Sequence, residues 1–254
     1  MPYLNEPALG TRAARRVLVL LLSLSLAVCG AGLAEPDRAA RKSRARADAG
    51  IQKILDRIDE AQRSMNSLRA ELVETRHMAM LAEPQVFKGT LLFQRPGNIR
   101  WEYREPEIRT YVLSDGQLTG WIPSRNEIET ISISRSERRI RRLVAIGEDT
   151  SSLRREFQVT LNQQADEPNS AELVLIPKSR RIRKRIAEIR LWIDREAGLP
   201  RRVRYTSGEG DVIELEMVQL TVNPPISEGT FELSIPPGAK VVRGLASMGF
   251  PGAS

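Results

Sequence analysis

The sequence predicts a mainly β fold with added α: an incomplete, mostly antiparallel β-barrel, a sheet curled into a half-barrel and closed by an N-terminal helix and a helical lid. Three observations carry that expectation. Near Ala70 the apolar period changes from helical spacing towards strict alternation. About ten or eleven short runs rich in β-branched and aromatic residues then follow one another, separated by Pro, Gly, Asn and Asp. One helical pattern precedes them and a second interrupts them. A twisted sheet of so many strands curls, and curled around apolar side chains it encloses a cavity.

Residues 1–34 read as a secretory leader. Arg12, Arg15 and Arg16 stand against one acid, Glu6; an uncharged run from Val17 to Cys29 follows, then the small residues Gly32 and Ala34. The run is short for a membrane-spanning helix, which needs about 20 apolar residues. Cleavage after Ala34 is expected, and with it export from the cytoplasm. Cys29 is the only cysteine, and "LAVC" partly matches a lipoprotein signal. Val28 is not the small residue that signal prefers, so lipid anchoring at Cys29 is the lesser alternative. A chain cleaved at Ala34 has no thiol, and so no disulfide or cysteine metal site.

Residues 35–50, "EPDRAARKSRARADAG", are charged, small and aperiodic, and are expected to form a flexible basic linker. The folded domain is expected over 51–243, with a tail at 244–254. It opens on an amphipathic helix, in which Ile51, Ile54, Leu55, Ile58, Ala61, Met65 and Leu68 keep helical spacing. The strands follow, with "RPGN" and "SDGQ" as turn sequences. A helical insert over 136–157 places Ile140, Leu143 and Val144 on one side, with Ser136 as its cap. Strands resume at Phe157, and one more short strand lies near the C-terminus.

Catalytic chemistry is sparse. His77 is the only histidine; it cannot build a His-rich metal site, makes no evident Ser–His relay, and reads as an ordinary strand residue. No P-loop, G-x-S-x-G or G-x-G-x-x-G pattern occurs. The formal charge is +7. Residues 1–34 carry three arginines and one glutamate, so the remainder keeps +5. For an exported protein that favours anionic lipid headgroups or acidic partners over nucleic acid. "PKSRRIRKRIAE" holds six basic residues between Pro177 and Glu188. It reads equally as a docking patch and as a solvated connection.

The hairpin "GTLLFQRPGNIRWEYREP" sets Leu91, Phe93 and Arg95 on one face, and Ile99, Trp101 and Tyr103 on one face of the next strand. An unpaired guanidinium there would cost several kcal/mol, so Arg95 must be paired. Its fixed fork of donors suits backbone carbonyls at a helix end or loop.

These blocks, in order, resemble the periplasmic LolA-like lipoprotein carriers. "GTLLFQRPGNIRWEY", "EP" and "YVLSDGQLTGWIPSRNEIE" carry the resemblance, followed by "LVLIPK", "IRLWIDREAGLPRRVRY" and "NPPISEGTFELSIPPGAKVV". It covers roughly residues 51–242. It implies a cavity shielding the acyl chains of a lipoprotein or lipid, lined by Leu91, Phe93, Ile99, Trp101 and Tyr103. Plain core is the competing reading of those five. It implies a monomer with no enzymatic activity and no cofactor. Its partners would be acylated cargo, an inner-membrane donor complex and an outer-membrane acceptor. For Arg95 it implies a latch on the lid, expected over the insert 136–157; a structural arginine holding the turn at Pro96 and Gly97 is the alternative. Two other functions fit the same half-barrel: a periplasmic sensor or regulator that binds lipid or lipoprotein, and a membrane-anchored acceptor if Cys29 is lipidated.

Overall fold

The computed structural model describes residues 35–132, 150–162 and 169–243. The expected leader 1–34, the tail 244–254 and the lid residues Ile140, Leu143 and Val144 lie outside the described residues. The chain divides into two units, Met1–Asp48 and Ala49–Ser254. The described part of the first is the opening of a long helix, α1 (Glu35–Ser64). Residues 35–50, expected as a flexible linker, are therefore helical. Four arginines, a lysine and five alanines in that stretch are strong helix formers, and the aperiodic pattern marks only the lack of a buried face.

In the second unit α1 buries Ile51, Ile54, Leu55 and Ile58, as their spacing predicts. The helix stops at Ser64, short of Leu68: Met65 closes a turn through its N–H to the Gln62 carbonyl (3.2 Å), and Leu68 belongs to the first strand. Twelve strands follow among the described residues: β1 (Ser67–His77), β2 (Gln85–Gln94), β3 (Asn98–Glu105), β4 (Arg109–Ser114), β5 (Gln117–Ile122), β6 (Glu127–Ser132), β7 (Phe157–Asn162), β8 (Ser170–Pro177), β9 (Ile186–Asp194), β10 (Pro200–Ser207), β11 (Val212–Val222) and β12 (Lys240–Arg243). Of the insert expected over 136–157, the described part is one 3-10 turn (Thr150–Ser152) and the short helix α2 (Leu153–Glu156). A second four-residue helix, α3 (Arg180–Arg183), joins β8 to β9.

All twelve strands form one sheet in the order β12-β6-β5-β4-β3-β2-β1-β11-β10-β9-β8-β7. Two antiparallel meanders, β1–β6 and β7–β11, meet where β1 pairs with β11. Only β12 runs parallel to its neighbour, β6. The sheet ends in β7 on one side and β12 on the other, so the barrel is incomplete. One face is apolar and carries the core from Leu68 through Leu91, Phe93, Leu173, Leu191 and Val203. The other is crossed by ion pairs, among them Arg104–Glu71 (2.6 Å), Arg190–Glu172 (2.9 Å) and Arg202–Glu216 (3.0 Å). Pairs as exposed as Arg104–Glu71 contribute little stability, but the charges mark this as the polar face of the sheet.

Curvature has local causes. The β1–β11 register shifts between Arg69 and Glu71, where Gln219 takes a left-handed backbone (φ 50°). The β2–β3 register shifts at Lys88/Gly89, and there the strands approach so closely that a Cβ on Gly89 would lie 2.0 Å from the Glu102 carbonyl oxygen. Gly89→Ala should therefore lower stability by about 1–3 kcal/mol through overpacking against backbone, read as a lower denaturation midpoint. A midpoint equal to the parent's would show that the curl does not depend on this contact.

Candidate functional site

The inner face is built by alternation. Leu91 lies opposite Trp101, and Trp101 opposite Tyr111; Phe93 lies opposite Ile99, and Ile99 opposite Leu113. All five residues expected to line a cavity thus form one contiguous patch on the inner face. Leu91, Phe93, Ile99 and Tyr103 are buried in the main core, and Trp101 is half-buried against it. Across β1 the patch continues through Leu68, Ala70 and Leu72, and on the second meander through Met217, Leu215, Val203, Leu191 and Leu173. The buried stripe of α1 belongs to the same core.

Four polar anchors tie α1 to its surroundings, three of them at the sheet's rim and one at the 3-10 turn before α2. Arg95, in the β2–β3 turn, donates Nε to the Met65 carbonyl (2.6 Å) and Nη2 to the Gln62 carbonyl. Asn223, just past β11, donates to the Ser64 carbonyl (3.0 Å) and accepts the Asn66 and Ser67 amides on its Oδ1. Arg57 donates to the Glu196 carbonyl in the β9–β10 turn (2.7 Å from Nε). Asp59 accepts the amide and hydroxyl of Thr150, both at 2.8 Å. Two of the four satisfy carbonyls of the last helical turn, which have no partner within the helix. The positive ends of Arg95 and Asn223 also suit the negative end of the helix dipole.

The guanidinium of Arg95 is thus paired with carbonyls, as its chemistry requires, and they come from the last turn of α1 and from Met65 just after it. The expected source, the insert over 136–157, is described only from Thr150, and that residue reaches α1 through Asp59 rather than Arg95. Gly198 (φ 69°) allows the β9–β10 turn to fit: a Cβ there would lie 2.4 Å from the Arg57 carbonyl oxygen.

The apolar floor ends at a buried polar group. Along β1, Leu68, Ala70 and Leu72 give way on the same face to Glu74 and Arg76. Arg76 Nε and the Tyr103 hydroxyl each donate to one oxygen of Glu74. The Arg76 guanidinium lies over the Phe87 ring, 4.1 Å from its centroid. Phe87 and Tyr111 both meet Tyr103 edge-on, at 5.8 and 6.2 Å. Burial, and next the charge of Glu74, hold the Tyr103 phenol well above its ordinary value. Both carboxylate oxygens are committed, so Glu74 is a structural acceptor. Glu74 and Arg76 are not among the residues singled out from the sequence, although two charges in the apolar phase of a strand signal a buried pair. The anchors Asn223, Arg57 and Asp59 were also missed; their distant partners leave no local pattern. His77 is an exposed strand residue. Among the described residues no group of His, Cys, Asp and Glu could hold a metal ion.

Comparison with known proteins agrees with this architecture. The model of the family described as "Outer membrane lipoprotein carrier protein LolA" matches residues 63–234. An outer-membrane lipoprotein carrier protein of Methylobacillus flagellatus is 24% identical over 189 residues, covering 71% of this chain and 84% of its own. Another, of Legionella pneumophila, is 24% identical over 158 residues, covering 61% and 73%. Among solved structures, an uncharacterized conserved protein of Thermus thermophilus superposes with a TM-score of 0.50 at 15% identity, over 76% of this chain and 99% of its own. That last likeness bears on the fold alone.

The buried phenol makes a test of the polar group. Above the ordinary tyrosine pKa of about 10 the unfolded chain loses a proton that the folded chain retains. Stability should therefore fall as pH rises through that value. Tyr103→Phe should flatten this alkaline decline while lowering stability near neutrality by about 1–3 kcal/mol, because Glu74 loses a donor. Denaturation midpoints against pH give both quantities. An unchanged alkaline slope would show that Tyr103 does not govern it.

Proposed function

The chain belongs to the LolA family of outer-membrane lipoprotein carriers, and from that premise we propose that it is a periplasmic carrier that takes the acyl chains of a lipoprotein or lipid against its apolar inner face. The family's role is the handling of lipoproteins or lipids, and it is non-catalytic. The proposal adds a route: loading from an inner-membrane donor complex, passage as a monomer, and delivery to an outer-membrane acceptor. The observation that supports it most is the way α1 covers the inner face. Its apolar stripe is packed into the core, yet it is fastened at the rim by side-chain hydrogen bonds that could open without breaking any strand pairing.

Magnitudes favour such a device. Each buried CH₂ is worth about 0.8 kcal/mol, so a chain of roughly fifteen carbons gains on the order of 10 kcal/mol by leaving water. Hydrogen bonds to a charged group contribute about 1.5–3 kcal/mol. Cargo can therefore outcompete the Arg95 anchor, and the anchor still weakens net affinity enough to aid release. Arg95 latches α1 in the empty state; Leu91, Phe93, Ile99, Trp101 and Tyr103 form the wall exposed when α1 moves.

Arg95→Leu should leave the sheet intact and speed hydrogen exchange over residues 57–65 by about tenfold, the equivalent of 1.4 kcal/mol. It should also retain an acylated peptide more tightly and pass it on less. Parent-like exchange together with normal transfer would leave Arg95 as a turn residue only.

A fluorescent fatty acid should bind the purified protein and quench Trp101. Trp101→Phe should remove most of that quenching, with Trp121 and Trp192 as internal controls. Quenching that survives the substitution would place the ligand away from β3.

A further inference from the structure

At the end of the sheet opposite the Arg95 turn, three connectors converge. They are the β1–β2 loop (78–84), the β10–β11 turn (208–211) and the segment 178–185 that contains α3. The Ala79 amide donates to Asp211 Oδ1 (2.8 Å), joining the first to the second. The Gly208 amide donates to the Arg185 carbonyl (3.2 Å), joining the second to the third. The contact is close: a Cβ on Gly208 would lie 2.2 Å from the Lys184 carbonyl oxygen. Residues far apart in sequence thus form one rim.

The rim has two kinds of surface side by side. In the β1–β2 loop Met80 is 97% exposed and Leu81 47%, and Val86 follows at 43% at the start of β2. Beside them Lys178, Arg180, Arg181, Arg183, Lys184 and Arg185 are all exposed. Ile182 packs against the core, which fixes α3 and turns its basic neighbours outward. Among the described residues, the side chains of Arg180, Arg181, Arg183 and Lys184 have no ion-pair partner. The carboxylates of the rim connectors are Glu83, Glu209 and Asp211, so cations outnumber them.

We propose that this rim docks the protein reversibly on an anionic lipid bilayer, with Met80 and Leu81 entering the interfacial layer and the cations of 178–185 lying on the headgroups. Cations alone would suit any acidic surface, whereas the exposed methionine and leucine beside them ask for apolar depth as well. A bilayer surface satisfies both, since it offers negative charge and apolar depth within a few ångströms of each other. One short apolar loop or one basic patch gives only weak attachment alone; the two together give binding that is specific yet easily reversed. Docking there leaves the anchors at the Arg95 end of α1 facing away from the bilayer. The proposal stands apart from the carrier reading, because docking is measured with no cargo present.

The test is flotation of the purified protein with vesicles of phosphatidylcholine, alone or mixed with phosphatidylglycerol. The parent should float with the mixed vesicles and release as salt rises. R180S/R181S/R183S/K184S should weaken binding to mixed vesicles at least about tenfold and reduce the salt dependence. M80S/L81S should weaken it by about tenfold with the salt dependence kept. Both variants change exposed side chains only, and unaltered thermal unfolding checks that each is folded. Binding left at the parent level by both variants would assign it to the basic stretch 35–48 and overturn the proposal. Loss with the charge variant but none with M80S/L81S would also overturn it, since the rim would then be a general polyanion surface suited to an acidic protein.

Discussion

The pairing of β1 with β11 is the contact on which the rest of the sheet depends. Each meander alone has an apolar face but no continuous floor. Joined in register, with Leu72 opposite Met217 and Glu74 opposite Leu215, they make one inner surface. Asn223 fastens the joint at its end by holding the Ser64 carbonyl and the Asn66 and Ser67 amides together. The same side chain therefore sets where α1 stops, where β1 begins and where β11 leaves the sheet. Its own left-handed backbone (φ 54°) suits an asparagine better than most residues.

A one-sided sheet must be covered, and among the described residues the main cover is α1, whose apolar stripe is narrow, with Leu153 of α2 added to it. That explains the division of labour across the inner face. Leu68, Phe93 and Ile99 lie towards the end where α1 is anchored, while Glu74, Arg76 and Tyr103 close the floor towards the other. A buried, fully hydrogen-bonded pair contributes little net stability, but it limits how far along β1 an apolar occupant can lie without stranding a charge.

Much of the fold was legible because alternation and turn chemistry are local. The strand sequence, the hairpin at Pro96 and Gly97, and the short C-terminal strand follow from the pattern alone. So do the buried positions of α1 from Ile51 to Ile58. The helix at 35–50 was hidden because it has no apolar stripe, although its composition favours helix. Pairings between distant segments left no trace: nothing near Arg95 names Gln62 and Met65, and nothing near Asp59 names Thr150. The charge group at Glu74 and Arg76 is visible only as a break in phase within β1, and its third member, Tyr103, comes from a strand nearly thirty residues further on.

The short strand β12 reaches β6 only after residues 223–239 have crossed to the far edge, held on the way by Arg100 through the Thr230 and Glu232 carbonyls. A chain threaded N-terminus first presents β6 early and β12 last, and β1 likewise waits for β11. Contacts of such long sequence separation form slowly. The sheet is therefore completed only by segments that come last in the chain. The β6 edge is thus the last to be covered along the chain, and a chain ending before Lys240 would leave it unpaired.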